Sequence, residues 1–266
     1  MTTSKALHVA RIHSDVVSDF SQKMSSSSKV KLVELFYDVI SPYSWLAFEV
    51  LCRYRNVWNI NLKLRPALLG GVYKGAGNKG PDDVPRKFHY MVTDLLRLGS
   101  YAGVPLRVPA QPINVLLGKG SLPAMRFVTA VAEDSAGDAK VERVSRELWT
   151  RIWSNGQDIN QLSSLAEVGQ KAGLSARKVG ELLEQSQSKA IKDKLWNTTE
   201  KALDYGGFGF PLTVCHVEGE PKVFFGSDRF EVMAHCLGER WVGPKPVHPS
   251  VMDSQSHATM RAAMAS

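Results

Sequence analysis

The order of hydrophobic and polar positions predicts two strands joined by a helix in the first quarter of the chain. Residues 30–39 are mostly apolar and β-prone, and residues 58–66 alternate between apolar and polar side chains. Both patterns are typical of strands. Between them, apolar side chains continue from Leu46 to Leu51, as in a helix. A helix between two strands allows them to pair in parallel, so we expect a parallel pair.

From about residue 85 to residue 205 the pattern becomes helical. Apolar residues recur at three- and four-residue steps from Val141 to Ile152, which predicts one buried helix face. Ser175 is expected to cap a further helix. Residues 70–85, by contrast, are polar and rich in glycine. They predict a long loop, and loops of this length often carry function.

The strand pattern returns near the end of the chain. Residues 208–217 predict a glycine–proline turn into a strand, and residues 219–221 predict a turn into the second strand of a hairpin. A last helix follows, with Asp228 as its predicted cap and Glu231 reaching back to it. The order of elements is strand–helix–strand, helical insert, hairpin and helix. It predicts an α/β, thioredoxin-like fold with a large α-helical insertion domain.

The turn Ser41-Pro42-Tyr43-Ser44 carries the candidate chemistry. Ser41 takes the N-cap position and Pro42 the first helical position, where a missing N–H costs nothing. A helix N-terminus suits an anion. In a thioredoxin-type redox site, C-x-x-C stands here and its first sulfur is a low-pKa thiolate. Because hydroxyls replace both sulfurs, a disulfide oxidoreductase is disfavoured. Either the thiolate comes from a bound thiol such as glutathione, or Ser41 is only a cap.

These patterns divide the chain into four predicted parts. They are an N-terminal extension (1–29), a discontinuous thioredoxin-like domain (30–66 and 206–244), a linker loop with the inserted helical domain (67–205) and a C-terminal tail (245–266). The extension partly matches a mitochondrial presequence, although Asp15 and Asp19 oppose that reading, and a disordered tail is the alternative. The chain ends in Met-Ala-Ser, unlike the peroxisomal S-K-L signal. A mitochondrial location is expected, with peroxisomal and cytosolic locations left open.

Composition narrows the classes of partner. The formal net charge of +7 is spread along the chain, with no basic block interleaved with aromatics, so no nucleic-acid partner is expected. No apolar run is long enough to predict a membrane span. The three cysteines, Cys52, Cys215 and Cys236, are widely spaced. They predict no disulfide framework and no metal site, and they indicate a reducing compartment. The positive charge favours anionic small ligands.

Short motifs between Val30 and Pro244, which is most of the chain, together resemble those of a known family. They are Glu34-Leu35-Phe36-Tyr37-Asp38-Val39, Ser41-Pro42-Tyr43-Ser44-Trp45, Leu51-Cys52-Arg53-Tyr54, Trp58-Asn59-Ile60-Asn61-Leu62, Leu64-Arg65-Pro66, Gly77-Asn78-Lys79, Lys119-Gly120-Ser121-Leu122, Ala124-Met125-Arg126-Phe127, Ser145-Arg146-Glu147-Leu148-Trp149, Thr213-Val214 and Phe225-Gly226-Ser227-Asp228-Arg229. This set resembles the kappa-class glutathione transferases. The resemblance implies a thioredoxin fold with a helical insert like that of DsbA-type oxidoreductases. It also implies a homodimer, glutathione as co-substrate and small electrophilic substrates.

The resemblance implies roles for single residues around the first turn. Ser41 would contact the glutathione sulfur, and Pro42 and Tyr43 would line the same turn. Asn78 would also contact glutathione. The hydroxyl of Ser41 would then be a hydrogen-bond donor to a thiolate, since a bond to an ionised acceptor is stronger than one between neutral groups. In this role Ser41 is neither a base nor a nucleophile.

The resemblance implies a second group of contacts near the hairpin. The backbone of Phe210 would pair with the peptide of glutathione, and Pro211 would follow a cis bond. Ser227 and Asp228 would hold the γ-glutamyl end. Phe210 departs from the leucine of mammalian members. Backbone pairing is expected to survive this change, whereas the shape of the neighbouring acceptor site does not follow from the resemblance.

Three functions remain open from the sequence. The first is a glutathione S-transferase, with glutathione peroxidase activity as an addition. The second is a glutathione-dependent isomerase of the 2-hydroxychromene-2-carboxylate type, which shares the Ser-Pro-Tyr turn. The third is a non-catalytic binding or chaperone-like protein on a thioredoxin scaffold. The stretches 58–61 and 226–229 favour the transferase.

Overall fold

The computed structural model describes residues 29–107, 120–134 and 138–246. The chain divides into two units, residues 1–30 and 31–266, and the elements below all belong to the second. The predicted N-terminal extension lies outside the described residues except for Lys29. The predicted C-terminal tail does so beyond residue 246. The sequence boundaries of the four parts therefore stay predictions.

Four strands form a mixed sheet. They are β1 (Lys31–Tyr37), β2 (Ile60–Pro66), β3 (Leu212–Val217) and β4 (Glu220–Phe225), in the order β2-β1-β3-β4. β1 pairs with β2 in parallel, which confirms the expected parallel pair. β3 runs antiparallel to β1 and forms a hairpin with β4. The strands that are distant in sequence thus meet around β1.

The hairpin turns at Glu218 and Gly219, whose φ angles are 55° and 86°. Two successive positive φ values are typical of the turn that matches right-twisted strands. The predicted turn over residues 219–221 was therefore misplaced, because Glu220 and Pro221 already belong to β4. A proline is tolerated there because β4 is an edge strand.

Helices cover both sides of this sheet. They are α1 (Pro42–Tyr54), α2 (Leu69–Ala76), α3 (Pro85–Ala102), α4 (Leu122–Glu133), α5 (Asp138–Trp149), α6 (Leu162–Lys171), α7 (Ala176–Gln185), α8 (Lys189–Asp204) and α9 (Phe230–Leu237), with a 3-10 turn at Pro81–Asp83 and a π-helical turn at Thr150–Ser154. The α/β fold with a helical insertion is confirmed. Within the described ranges, no helix has the length and apolar character needed to cross a membrane.

The long loop predicted over residues 70–85 was wrong, because most of it is α2 and the 3-10 turn. The reason lies in packing that the local sequence does not reveal. A Cβ at Gly71 would lie 2.9 Å from the Thr199 side chain, and one at Gly75 would lie 2.4 Å from Leu203. The glycines therefore let α2 approach α8 closely. That contact outweighs the low helix propensity of glycine.

The two faces of β1 pack against two different hydrophobic clusters. Val33, Leu35 and Tyr37 enter the larger one, and Phe36 enters a smaller one near Phe210. The predicted buried helix face is confirmed, since the apolar residues from Val141 to Ile152, in α5 and the π-helical turn that follows it, are buried. Beside this face, Trp149 stacks on Trp45 of α1 with ring centroids 6.2 Å apart. This packing fixes α1, and with it the turn at Ser41.

Candidate active site

A cavity of about 700 Å³ opens where β1 passes into α1. Ser41, Pro42, Tyr43, Asn78 and Phe210, all predicted as site residues, line it together. The turn at Ser41, the residues around α2, the beginnings of α3 and α4, and the loop before β3 enclose the space. The fold thus brings together Ser41 and Phe210, which are 169 positions apart in sequence.

Ser41 is held tightly in this cavity. As predicted, it caps α1, because its hydroxyl accepts a hydrogen bond from the Ser44 N–H at 3.1 Å. The same hydroxyl donates to the Phe210 carbonyl at 3.3 Å. The indole N–H of Trp149 donates to the Ser41 carbonyl at 3.1 Å, and that of Trp153 to the Ile40 carbonyl at 3.2 Å. The turn is therefore fixed from both sides, with the positive end of α1 directed at the cavity.

Tyr43 and Asn78 have partners at the cavity wall. The Tyr43 hydroxyl donates to Asp94 of α3 at 2.9 Å. Burial and this carboxylate raise the pKa of Tyr43 well above its usual range, so it remains a neutral phenol. Asn78 follows the C-cap of α2. Its amide donates to the Phe208 carbonyl at 2.7 Å and its side-chain oxygen accepts from the Lys79 N–H at 2.8 Å. Both side chains are therefore oriented.

Two polar residues near the cavity were not singled out from the sequence. Asp38 is fully buried just after β1 and accepts from the Ser121 hydroxyl at 2.7 Å. Ser121 precedes α4 and lines the cavity. Burial raises the pKa of Asp38 to about 6, although its hydrogen bonds oppose that rise. An aspartate in the otherwise apolar run from Phe36 to Ile40 was the available signal.

Comparison with known proteins assigns the family. A model described as a DSBA-like thioredoxin domain matches residues 32–238. Human glutathione S-transferase kappa 1 is 50% identical over 216 residues, covering 81% of this chain and 95% of the human protein. Its rat counterpart is 47% identical with the same coverage. The chain belongs to the kappa class of glutathione S-transferases.

A solved structure supports the fold of this kappa-class protein. A selenomethionine-labelled 2-hydroxychromene-2-carboxylate isomerase matches with a TM-score of 0.63 and 22% identity, covering 78% of this chain and 94% of that one. At this identity the likeness shows a shared fold. The resemblance to the kappa class stated from the motifs is thus confirmed by the sequence comparisons.

The hairpin side of the kappa-class cavity is only partly as predicted. The Phe210–Pro211 bond is cis, as the resemblance implied. Among the described residues, Phe210 lines the cavity. Pro211, Ser227 and Asp228 are not part of its lining. The structure therefore brings part of the predicted hairpin group to the cavity wall and leaves the rest outside that lining.

The prediction that Asp228 caps the last helix was wrong. α9 begins at Phe230, and Arg229 takes the N-cap position without a capping side-chain bond. The Asp228 carboxylate instead accepts from the guanidinium of Arg229, with the Nε–Oδ1 distance at 3.1 Å. Asp228 therefore pairs with the neighbouring Arg229 side chain and does not cap α9.

An aromatic wall bounds one side of the kappa-class cavity. It consists of Tyr73, Phe208, Phe210 and Phe225. The rings of Phe208 and Phe225 have centroids 4.4 Å apart. A Cβ at Gly209 would lie 3.1 Å from the Phe225 ring and 3.5 Å from that of Tyr73, so this glycine leaves room for both rings. The cavity therefore pairs a polar side at Ser41 and Asn78 with an apolar side.

Proposed function

We propose that this protein binds glutathione in the cavity, stabilises its thiolate and joins it to small electrophiles. Its membership of the kappa class supports glutathione transfer. The observation that carries the proposal is the hydroxyl of Ser41 at the N-terminus of α1, where a redox protein of the same fold would have its reactive cysteine.

The Ser41 hydroxyl is suited to exchange one acceptor for another. Its bond to the Phe210 carbonyl is 3.3 Å long, well above the usual length of about 2.7–2.8 Å for a hydroxyl donor. A thiolate carries a full charge, and bonds to charged acceptors are the stronger ones. The hydroxyl proton therefore turns from the carbonyl to the sulfur, while the Ser44 N–H continues to donate to the hydroxyl oxygen.

The energy required for thiolate formation matches these donors. A thiol like that of cysteine has a pKa of about 8.5, and lowering it by about two units requires about 2.7 kcal/mol. A hydrogen bond to a charged group contributes about 1.5–3 kcal/mol. The α1 N-terminus adds about 0.3–1 kcal/mol. The thiolate sulfur then donates its electron pair to an electrophilic carbon, and the leaving group departs with the pair of the broken bond.

The rest of the tripeptide is proposed to follow the cavity wall. The Phe210 backbone pairs with its central peptide and Asn78 contacts it. Ser227 and Asp228, which follow Phe225 of the cavity wall in sequence, receive the γ-glutamyl end beyond that wall. Lys79 and Lys87 line the same cavity, which supports binding of a molecule with carboxylates. The aromatic wall is proposed to receive the electrophile, because apolar groups leave water most favourably there. No metal takes part in this proposal.

The remaining parts of the proposal concern assembly and place. We propose, as predicted from the sequence, that the protein is a homodimer, has glutathione peroxidase activity and is mitochondrial. Peroxisomal and cytosolic locations remain the alternatives. A 2-hydroxychromene-2-carboxylate isomerase from Sphingobium xenophagum is 26% identical over 215 residues, against 50% for the human transferase. Transfer is therefore proposed ahead of isomerisation.

The Ser41→Ala variant tests the proposed function. Because one bond to a charged sulfur is lost, the rate of transfer from glutathione to a chloronitrobenzene should fall by roughly 10- to 100-fold. Glutathione affinity should change little at a pH below the pKa of the bound thiol, and the apparent pKa of the bound thiol should rise. An unchanged pH–rate profile would contradict the role of Ser41. Turnover of a chromene carboxylate instead of the chloronitrobenzene would favour the isomerase, and binding without turnover the non-catalytic alternative.

A further inference from the structure

Asp38 connects three separate walls of the cavity. Its Oδ1 accepts from the Ile40 N–H at 3.0 Å, beside the turn that presents Ser41. Its Oδ2 accepts from the Leu69 N–H at 2.8 Å and from the Ser121 hydroxyl at 2.7 Å. Leu69 opens α2 and Ser121 directly precedes α4. One carboxylate therefore joins the end of β1 to the beginnings of α2 and α4.

Asp38 contacts the beginnings of both helices, since it accepts from a backbone N–H of α2 and from the side chain of the residue before α4. Leu68, the N-cap of α2, makes no side-chain cap bond, and neither does Ser121 at the N-cap of α4. The Ser121 hydroxyl is directed to Asp38 and not to its own helix. Asp38 thus accepts a backbone N–H at the beginning of α2, where a negative charge is favourable, and binds the N-cap residue of α4 through its hydroxyl.

The ionised form of Asp38 is the form that fits these donors. An ionised carboxylate only accepts hydrogen bonds, whereas a protonated one carries a hydrogen that needs an acceptor. A proton on Oδ1 would confront the Ile40 N–H. A proton on Oδ2 would confront the Leu69 N–H, and the Ser121 hydroxyl, which can also accept, would have to reverse its bond. Among the described residues, no Lys, Arg or His forms an ion pair with Asp38, and the donors that oppose the effect of burial are all neutral.

We propose that Asp38 is a positioning residue for glutathione: its ionised carboxylate holds Ser121 and the first turn of α2 in the places that the bound tripeptide requires. The inference rests on the proposed function, because it concerns the same cavity. Ser121 lines that cavity directly. Loss of the charge releases Ser121 and α2 together, so glutathione binds more weakly when Asp38 is protonated.

Other titratable groups lie on the surrounding elements and must be separated from Asp38. They are Tyr37 on β1, Arg65 on β2, Tyr43 on α1, Tyr73 and Lys74 on α2, Lys79 and Asp83 between α2 and α3, Lys87, His89 and Asp94 on α3, and Arg126 on α4. Burial raises the pKa of the Tyr37 phenol, so it stays neutral. Arg65 is paired with Glu34. His89 carries an ionisable imidazole on α3 and requires its own control.

S-methylglutathione is the probe, since its blocked sulfur removes thiol ionisation from the measurement. Its Kd for the full chain is measured by calorimetry between pH 5 and pH 7.5. Binding to the wild type should weaken by roughly tenfold towards pH 5, with a midpoint close to the Asp38 pKa of about 6. The His89→Gln control should keep this dependence. Binding that does not vary with pH, or a dependence that disappears in His89→Gln, would overturn the proposal.

Two sets of variants locate the effect. Asp38→Asn should bind the probe weakly at every pH, because the amide is neutral and accepts fewer bonds. Ser121→Ala should weaken binding at pH 7.5 by roughly fivefold, and Ser121→Thr, which keeps the hydroxyl, should restore it. If Asp38→Asn does not fold, the Ser121 pair decides, and wild-type affinity in Ser121→Ala overturns the proposal. A wild type that does not bind the probe at any pH would contradict the proposed function itself, whereas pH-independent binding contradicts only the role of Asp38.

Discussion

Glu34 and Asp38 lie four positions apart along the same stretch of chain, and both are buried, yet their surroundings are opposite. Glu34, inside β1, is 1% exposed and meets Arg65, Lys201 and His216. Burial alone would raise its pKa, but the hydrogen bonds from Lys201, His216 and Arg65 outweigh burial and lower it to about 2. Asp38 meets only neutral donors, so burial prevails and its pKa is about 6.

The difference shows that burial does not decide the state of a carboxylate by itself. The nearby cations offset the effect of burial on Glu34 and keep its carboxylate ionised near neutral pH. A buried ion cluster that stabilises the fold needs such a permanent charge. Asp38 has a pKa close enough to neutrality to change its charge. A buried carboxylate near a cavity, stabilised by neutral groups only, is typical of a functional position.

Removal of the Glu34 charge tests the first half of this comparison and should have the largest effect. Glu34→Gln leaves Arg65 and Lys201 beside a neutral amide. The lowered pKa of Glu34, about 2 against 4.5, corresponds to about 3 kcal/mol, and the partial exposure of the cations reduces this to about 2–3 kcal/mol. The free energy of unfolding from urea titration at pH 7 measures it.

The matched control for Glu34 is Asp193, which pairs with Lys189 on the exposed side of α8. Asp193→Asn should cost less than about 0.5 kcal/mol, as surface pairs on helices do. If Glu34→Gln costs no more than Asp193→Asn, the ion cluster does not stabilise the fold and the comparison fails.

The pH dependence of stability should separate the two carboxylates by its sign. Because Asp38 has a pKa of about 6 in the folded protein and about 3.9 when unfolded, the folded state takes up its proton first. Stability should therefore increase as the pH falls from 7 to 5, by about 1.3 kcal/mol from Asp38. Glu34 acts in the opposite direction, since its folded pKa is the lower one. Its contribution is lost only as the pH falls from about 4.5 towards 2.

Urea unfolding at pH 7, 6 and 5 gives the free energy of unfolding of the wild type and of Asp38→Asn. The difference between the two proteins is the contribution of Asp38. The gain towards pH 5 should be absent from Asp38→Asn and present in Glu34→Gln. Together with the binding experiment, this outcome would mean that the ionised form of Asp38 costs stability and serves the cavity. Equal slopes in all three proteins would show that Asp38 does not titrate in this range.

Local patterns predicted the turn at Ser41, and the family resemblance added Asn78 and Phe210, which also line the cavity. The buried polar contacts between distant residues were missed. Capping of α1 by Ser41 and Pro42 depends on neighbouring residues, so the pattern was sufficient. The partners of Glu34 come from 31 to 182 positions away, and Ser121 lies 83 positions from Asp38. No local pattern encodes such contacts. The helix α2 was missed for the same reason, because its glycines are explained only by the distant side chains of α8.

The smallest expected effect comes from a change at His216, which contacts Glu34 together with Arg65 and Lys201. Its Nε2 lies 3.0 Å from the Glu34 carboxylate, but Lys201 and Arg65 contact the same carboxylate at 3.0 Å and 2.7 Å. His216→Gln keeps a hydrogen-bond donor at this position and leaves two cations in place. The loss should therefore stay below about 1 kcal/mol in urea unfolding at pH 7, and the rise of stability from pH 7 to pH 5 that belongs to Asp38 should be unchanged. If His216→Gln removes that rise, the pH dependence comes from the histidine, and Asp38 is not the group whose charge changes near pH 6.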